Sequence, residues 1–163
     1  MKGLEEIFRE RYVSQSSALF AVARAIVGNA DDAADVVQDA MIKIWRRGPE
    51  LLTVDNPAAY ALSVVRTSAI DLIRSRRDTI GIDAIAAVSD TDAQSDFDTA
   101  DTIDRIIHSL PERQQTVIRL SAYGGCPNDE ISALTGLSPD NVRQLLSRAR
   151  RKLKEIYTKI SEA

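Results

Sequence analysis

Residues 128–154 read NDEISALTGLSPDNVRQLLSRARRKLK, and this stretch decides the fold. A helix-turn-helix packs two short helices across a tight turn. It therefore needs apolar residues at fixed offsets, a small residue where the helices touch and a glycine in the turn. Counting from Asn128, Ile131, Leu137, Val142 and Leu145 fall at the buried positions of such a unit. Ser132 is small at the helix contact, and Gly136 stands in the turn, where a positive φ is often required. Ser138 is a natural N-cap for the second helix, and Pro139 suits its first turn. From 139 to 159, seven Lys or Arg side chains face two acids, Asp140 and Glu155. Shape and charge together describe a helix that reads DNA. Glycine-linked amphipathic helices also occur with a basic face that is merely solvated, so this stretch alone leaves that reading open.

Outward from this motif, composition sets the bounds. A chain of 163 residues suits one or two small domains. Apolar residues at 44% can fill a core, while aromatics at 5% and seven glycines favour an all-α fold over sheet. The single Cys126 and single His108 exclude a disulfide framework and a cysteine-based zinc site. No metal and no cofactor are expected. No apolar run approaches a membrane span, and 1–29 lacks the apolar core of a signal peptide. These features predict a cytoplasmic protein with no stable membrane insertion.

A net charge of −3 and a pI near 5.2 suit a DNA binder poorly, but the average hides the distribution. Residues 1–77 carry a net +1, residues 78–104 carry eight Asp and no base, and residues 105–163 carry a net +4. The acidity is confined to one segment, whose Asp, Ser, Thr and Ala content predicts a flexible linker. The expected organisation is two small helical domains, 1–80 and 101–163, joined by an acidic linker over 81–100.

In the first domain, apolar residues at three- to four-residue intervals predict a helix over 4–27, with a polar gap near Gln15. Gly28-Asn29 ends it. Asp31 or Asp32 is expected to cap a second helix to about 47, with Ala33, Val36, Val37, Ala40, Met41, Ile44 and Trp45 as its apolar stripe. Asn56-Pro57 opens a third over 57–77. Its basic end, Arg74, Arg76 and Arg77, also suits the macrodipole of any helix. In the second domain, helices are expected over 99–109 and 112–122 ahead of the helix-turn-helix. No catalytic constellation is found. There is no phosphate-binding glycine loop, no His-Glu-x-x-His and no Gly-x-Ser-x-Gly, so an enzyme is not expected.

Four stretches in this order resemble the extracytoplasmic-function, or group 4, sigma factors of the sigma-70 family. DDAADVVQDAMIKIW (31–45) is similar to the polymerase-binding helix of sigma domain two, and NPAAYALSVVRTSAIDLIRSRR (56–77) to the helix that reads the −10 element. LPERQQTVIRL (110–120) resembles the opening of sigma domain four, and the helix-turn-helix resembles its −35 reader. The resemblance implies a sigma factor that binds core RNA polymerase and directs transcription initiation at promoters. An anti-sigma factor is an implied partner.

Residue by residue, the resemblance assigns Asp35, Gln38 and Asp39 to polymerase binding. Their i, i+3, i+4 spacing places them on one helix face. Arg66, Thr67, Asp71, Arg74, Arg76 and Arg77 are assigned to −10 DNA. Asn141, Arg143, Gln144, Ser147, Arg148 and Arg151 are assigned to −35 DNA. Trp45 is expected in the core. Thr67, Asn128, Gln144 and Leu145 depart from the residues usual in the family, which implies a distinct promoter preference. Two rivals keep part of the pattern. A sigma-like decoy that sequesters an anti-sigma factor would keep the fold but not the basic clusters. An operator-binding regulator would use the helix-turn-helix alone and would need a dimer interface or effector pocket, which 1–77 does not offer in recognisable form.

Overall fold

The computed structural model describes residues 3–80 and 99–162, in which every regular element is helical. The expected all-α fold is therefore observed. Of the acidic linker expected over 81–100, residues 81–98 lie outside the described residues, and Thr99 and Ala100 open a helix. The chain divides into two compact units, Met1–Leu72 and Ile73–Ala163.

The first unit opens with α1, Leu4–Arg11, a 3-10 turn at Val13–Gln15 and α2, Ser16–Val27. The single helix expected over 4–27 is thus broken at the polar gap. Ser14 Oγ donates to the Glu10 carbonyl and Ser16 Oγ to the Val13 carbonyl, so short polar side chains compete for the backbone there. The break seats Tyr12, which is fully buried, against Phe8 and Tyr60 at centroid distances of 6.0 and 6.2 Å. Gly28 takes the left-handed conformation at φ 88° and ends α2.

Helix α3, Ala30–Trp45, is capped by Asn29 rather than by Asp31 or Asp32. The Asp32 backbone N–H donates to Asn29 Oδ1 at 2.9 Å, and Asn29 Nδ2 donates back to the Asp32 carboxylate at 2.7 Å. Asn29 thus caps the helix with its side-chain oxygen and holds the Asp32 carboxylate with its side-chain amide, and both residues are buried. α2 packs along α3, and Leu19, Ala23 and Ile26 meet the buried stripe Ala33, Val36, Ala40 and Ile44. A 3-10 segment, Gly48–Thr53, buries Leu51 and packs on α1. Asn56 Oδ1 accepts from the Ala59 backbone N–H to cap α4, Pro57–Ile80.

Besides the end of α4, the second unit holds α5, Thr99–His108; α6, Glu112–Ala122; α7, Asn128–Thr135; and α8, Pro139–Glu162. Val117, Ile118, Leu120, Ile131, Leu134, Val142, Leu146 and Ala149 form its core. Gly136 adopts φ 78° between α7 and α8, as the turn requires. Ser132 Oγ donates to the Leu137 carbonyl at 2.6 Å, tying the turn to α7. The Asn141 backbone N–H donates to Ser138 Oγ, the expected cap. The α5–α6 connection is fastened by Gln115 Nε2, which donates to the carbonyls of His108 and Leu110.

Candidate nucleic-acid interface

Helix α8 has two sides with different chemistry. Val142, Leu145, Leu146 and Ala149 face inward and anchor the helix on α6 and α7. The outward side carries Arg143, Gln144, Ser147, Arg148 and Arg151, which with Asp140 line an open groove of about 650 Å³. Five of the six residues assigned to −35 DNA are thus brought together. Asn141 is half-buried on the flank and does not line the groove. Leu145 points into the core, so its departure from the usual family residue does not alter the exposed face of α8. Arg150 Nη2 donates to Ser121 Oγ on α6 at 3.3 Å, which holds that cation against the scaffold.

On α4, Arg66, Thr67, Asp71 and Arg74 are all exposed, on the side away from buried Ala61, Val65, Ser68 and Ala69. Thr67 Oγ1 donates to the Ser63 carbonyl at 3.0 Å, so its hydrogen is committed within the helix. Arg76 is half-buried, and the side chain of Arg77 lies outside the described residues. Where the 48–53 segment meets the start of α4, the Arg47 guanidinium sits 5.6 Å from the Tyr60 ring centroid and pairs with Glu50 at 2.9 Å. Both contacts bring the half-exposed Arg47 beside Tyr60 of α4.

Asp35, Gln38 and Asp39 project from the solvent side of α3. Lys43 Nζ lies 3.0 Å from Asp39 Oδ2 and donates to Ser68 Oγ at 3.2 Å, so Asp39 is partly neutralised by its own helix. The same face continues at i+7 and i+10 from Asp35 with Ile42 and Trp45, each 44% exposed. Trp45 is therefore not the core residue expected. It leans edge-on against Phe8 at 5.1 Å and leaves much of its ring in solvent. The apolar period of α3 left Ile42 outside the stripe but took in Trp45, because Trp45 directly follows the buried Ile44.

Other reactive groups serve the scaffold. Burial pushes the Cys126 thiol up to about 11, so it stays protonated and unreactive at neutral pH. Arg119 is 3% exposed and paired with Asp104 at 3.1 Å, and Asp104 also contacts His108 Nδ1 at 3.3 Å. The hydrogen bond to the Asp104 side chain raises the His108 pKa, against an opposing effect of burial. Among the described residues, no cluster of His, Cys, Asp or Glu converges as a metal site, and no helix is long and apolar enough to cross a membrane.

This is the fold and surface of a DNA-binding protein with a helix-turn-helix, a second cation-bearing helix and an acidic face. The family model for Sigma-70 region 2 matches residues 12–79, and that for Sigma-70, region 4 matches residues 100–153. The RNA polymerase sigma-E factor of Streptomyces avermitilis is 26% identical over 153 residues, spanning 91% of this chain and 83% of the relative. The ECF RNA polymerase sigma factor SigL of Mycobacterium tuberculosis is 25% identical over 156 residues, spanning 91% and 87%. The structure of the sigma factor RpoE in complex with the anti-sigma factor NepR from Bartonella quintana superposes with a TM-score of 0.50. It is 23% identical and covers 93% of this chain and 96% of that one. The chain belongs to the sigma-70 family, as an extracytoplasmic-function sigma factor. Proteins of this class direct RNA polymerase to promoters.

Proposed function

We propose that this sigma factor docks on core RNA polymerase through the solvent face of α3 and reads promoter DNA with α4 and α8. The gathering of Arg143, Gln144, Ser147, Arg148 and Arg151 into one groove on a buried-backed helix carries the reading. Amide, hydroxyl and guanidinium groups on a helix one groove wide are the donors and acceptors that distinguish base edges. Arg66 and Arg74 on α4 supply cations along a second surface, where −10 DNA is held. The catalytic chemistry belongs to the polymerase; this chain supplies position and sequence preference.

On α3, the acid and amide groups of Asp35, Gln38 and Asp39 provide a charged half of the docking face. Ile42 and Trp45 provide an apolar half. Exposed ion pairs contribute about 0–1 kcal/mol each, so burial of those two apolar side chains supplies much of the affinity. An anti-sigma factor is the proposed regulator, by analogy with the Bartonella protein, and a cytoplasmic location fits this work. The decoy reading is disfavoured by the exposed cations of α4 and α8, which sequestration of an anti-sigma factor does not need.

The docking assignment is tested by binding to purified core polymerase. Joint reversal of Asp35 and Asp39 to Arg, and separately Ile42→Ser, should each weaken core binding by at least about tenfold, roughly 1.4 kcal/mol. Melting of the free protein should be unchanged. Core affinity equal to wild type in both variants would refute the α3 face.

A further inference from the structure

The reading groove of α8 contains one acid. Asp140 stands in the first turn on the same side as Arg143, Gln144 and Ser147, with its side chain 82% exposed. Arg143 Nη2 donates to Asp140 Oδ1. A carboxylate on a surface that approaches phosphates is repelled by them, which opposes binding to any DNA. Complementing the helix dipole explains an acid in the first turn, but it does not explain the face. The same charge at position 141 would serve the dipole from outside the groove.

We propose that Asp140 is a specificity-determining residue of the −35 reader, poising Arg143 for guanine and accepting a hydrogen bond from a cytosine amine beside it. This rests on the reading of α8 as the −35 helix. In the major groove, arginine donates to O6 and N7 of guanine, and a carboxylate accepts from N4 of cytosine. Asp140 and Arg143 are three residues apart, about 4.5 Å along the helix axis. Stacked bases are about 3.4 Å apart along the duplex, so the two side chains suit the same base pair or adjacent ones. On other sequences the carboxylate meets the carbonyl acceptors of guanine or thymine and is left unpaired. The exposed Asp140–Arg143 ion pair biases its own equilibrium by no more than about fivefold, so it exchanges readily for base contacts. Asp140 thus lowers binding to wrong DNA more than to right DNA.

The test is competitive binding of holoenzyme, made from the full chain and core polymerase, to a library of −35 variants on a fixed −10 element. Wild type should prefer a G·C or C·G pair at one or two adjacent positions. Asp140→Asn should flatten that preference by about tenfold and raise affinity for non-cognate DNA, with Asp140→Glu restoring part of it. Melting and core affinity of each variant verify folding. Affinity changed by one common factor on every −35 variant, or not changed at all, would overturn the proposal and leave Asp140 a dipole-complementing acid. Arg143→Ala separates the two levels. If it alters the preference and Asp140→Asn does not, only the proposal fails; if neither alters any −35 preference, α8 is not the −35 reader and both fail.

Discussion

Asn29 closes the first turn of α3 from both directions, accepting from the Asp32 backbone and donating to its buried carboxylate. Asn29→Ala should therefore cost about 1–2 kcal/mol, because a cap is lost and Asp32 also loses a donor. Urea unfolding of the full chain checks this; an unchanged midpoint would contradict it. Sequence reasoning read Asn29 only as the end of α2 and gave the cap to Asp31 or Asp32. One residue leaves one helix and starts the next, and propensity offers no sign of such double use. His108 gives the second prediction at this scale. Its pKa is raised chiefly by the Asp104 side chain, so the protonated form favours the fold. That stability is complete below the unfolded value of 6.5 and is lost as pH rises through the folded one. Melting temperature should fall over that range in wild type, relative to His108→Gln; parallel profiles for the two proteins would refute the link. The i, i+4 spacing of Asp104 and His108 puts them on one helix face, but nothing in the spacing shows that Arg119, from another helix, joins them.

At the scale of elements, α8 joins the proposed recognition surface to a core anchor. Leu146 is 1% exposed and seats the helix on its neighbours. Leu146→Ala should cost about 2–5 kcal/mol and loosen the whole groove, including side chains it does not touch. The check is joint loss of thermal stability and −35 discrimination, with core docking retained. Loss of discrimination at full stability would contradict it. This element was legible: Ile131, Leu137, Val142 and Leu145 are all buried, and Gly136 and Ser138 do what their chemistry predicts. Helix 4–27 was less so. Its apolar period lapses at the polar gap near Gln15, but such a gap alone does not end a helix, and the serine-to-carbonyl bonds that divide it depend on backbone already turned. Trp45 misled for a different reason: it ends α3 beside the buried Ile44, and periodicity does not fix where burial stops. The docking face proposed for α3 was read only in its acidic half.

For the whole molecule, charge segregation matters more than net charge. Seven Lys or Arg side chains lie on α8, while the net negative charge arises in 78–104, so a pI near 5.2 says little about DNA affinity. Two helical units, one holding α8 and the other beginning α4, match the division of labour in a protein that reads two promoter elements. The most direct measurement is run-off transcription with the purified chain and core polymerase on a library of genomic fragments. The account predicts initiation at a discrete set of sites that share a −10 and a −35 element. Joint Asp35→Arg and Asp39→Arg should abolish it, and Arg143→Ala should weaken it with a shifted −35 preference. Core polymerase that starts at the same sites with and without the chain would contradict the central claim.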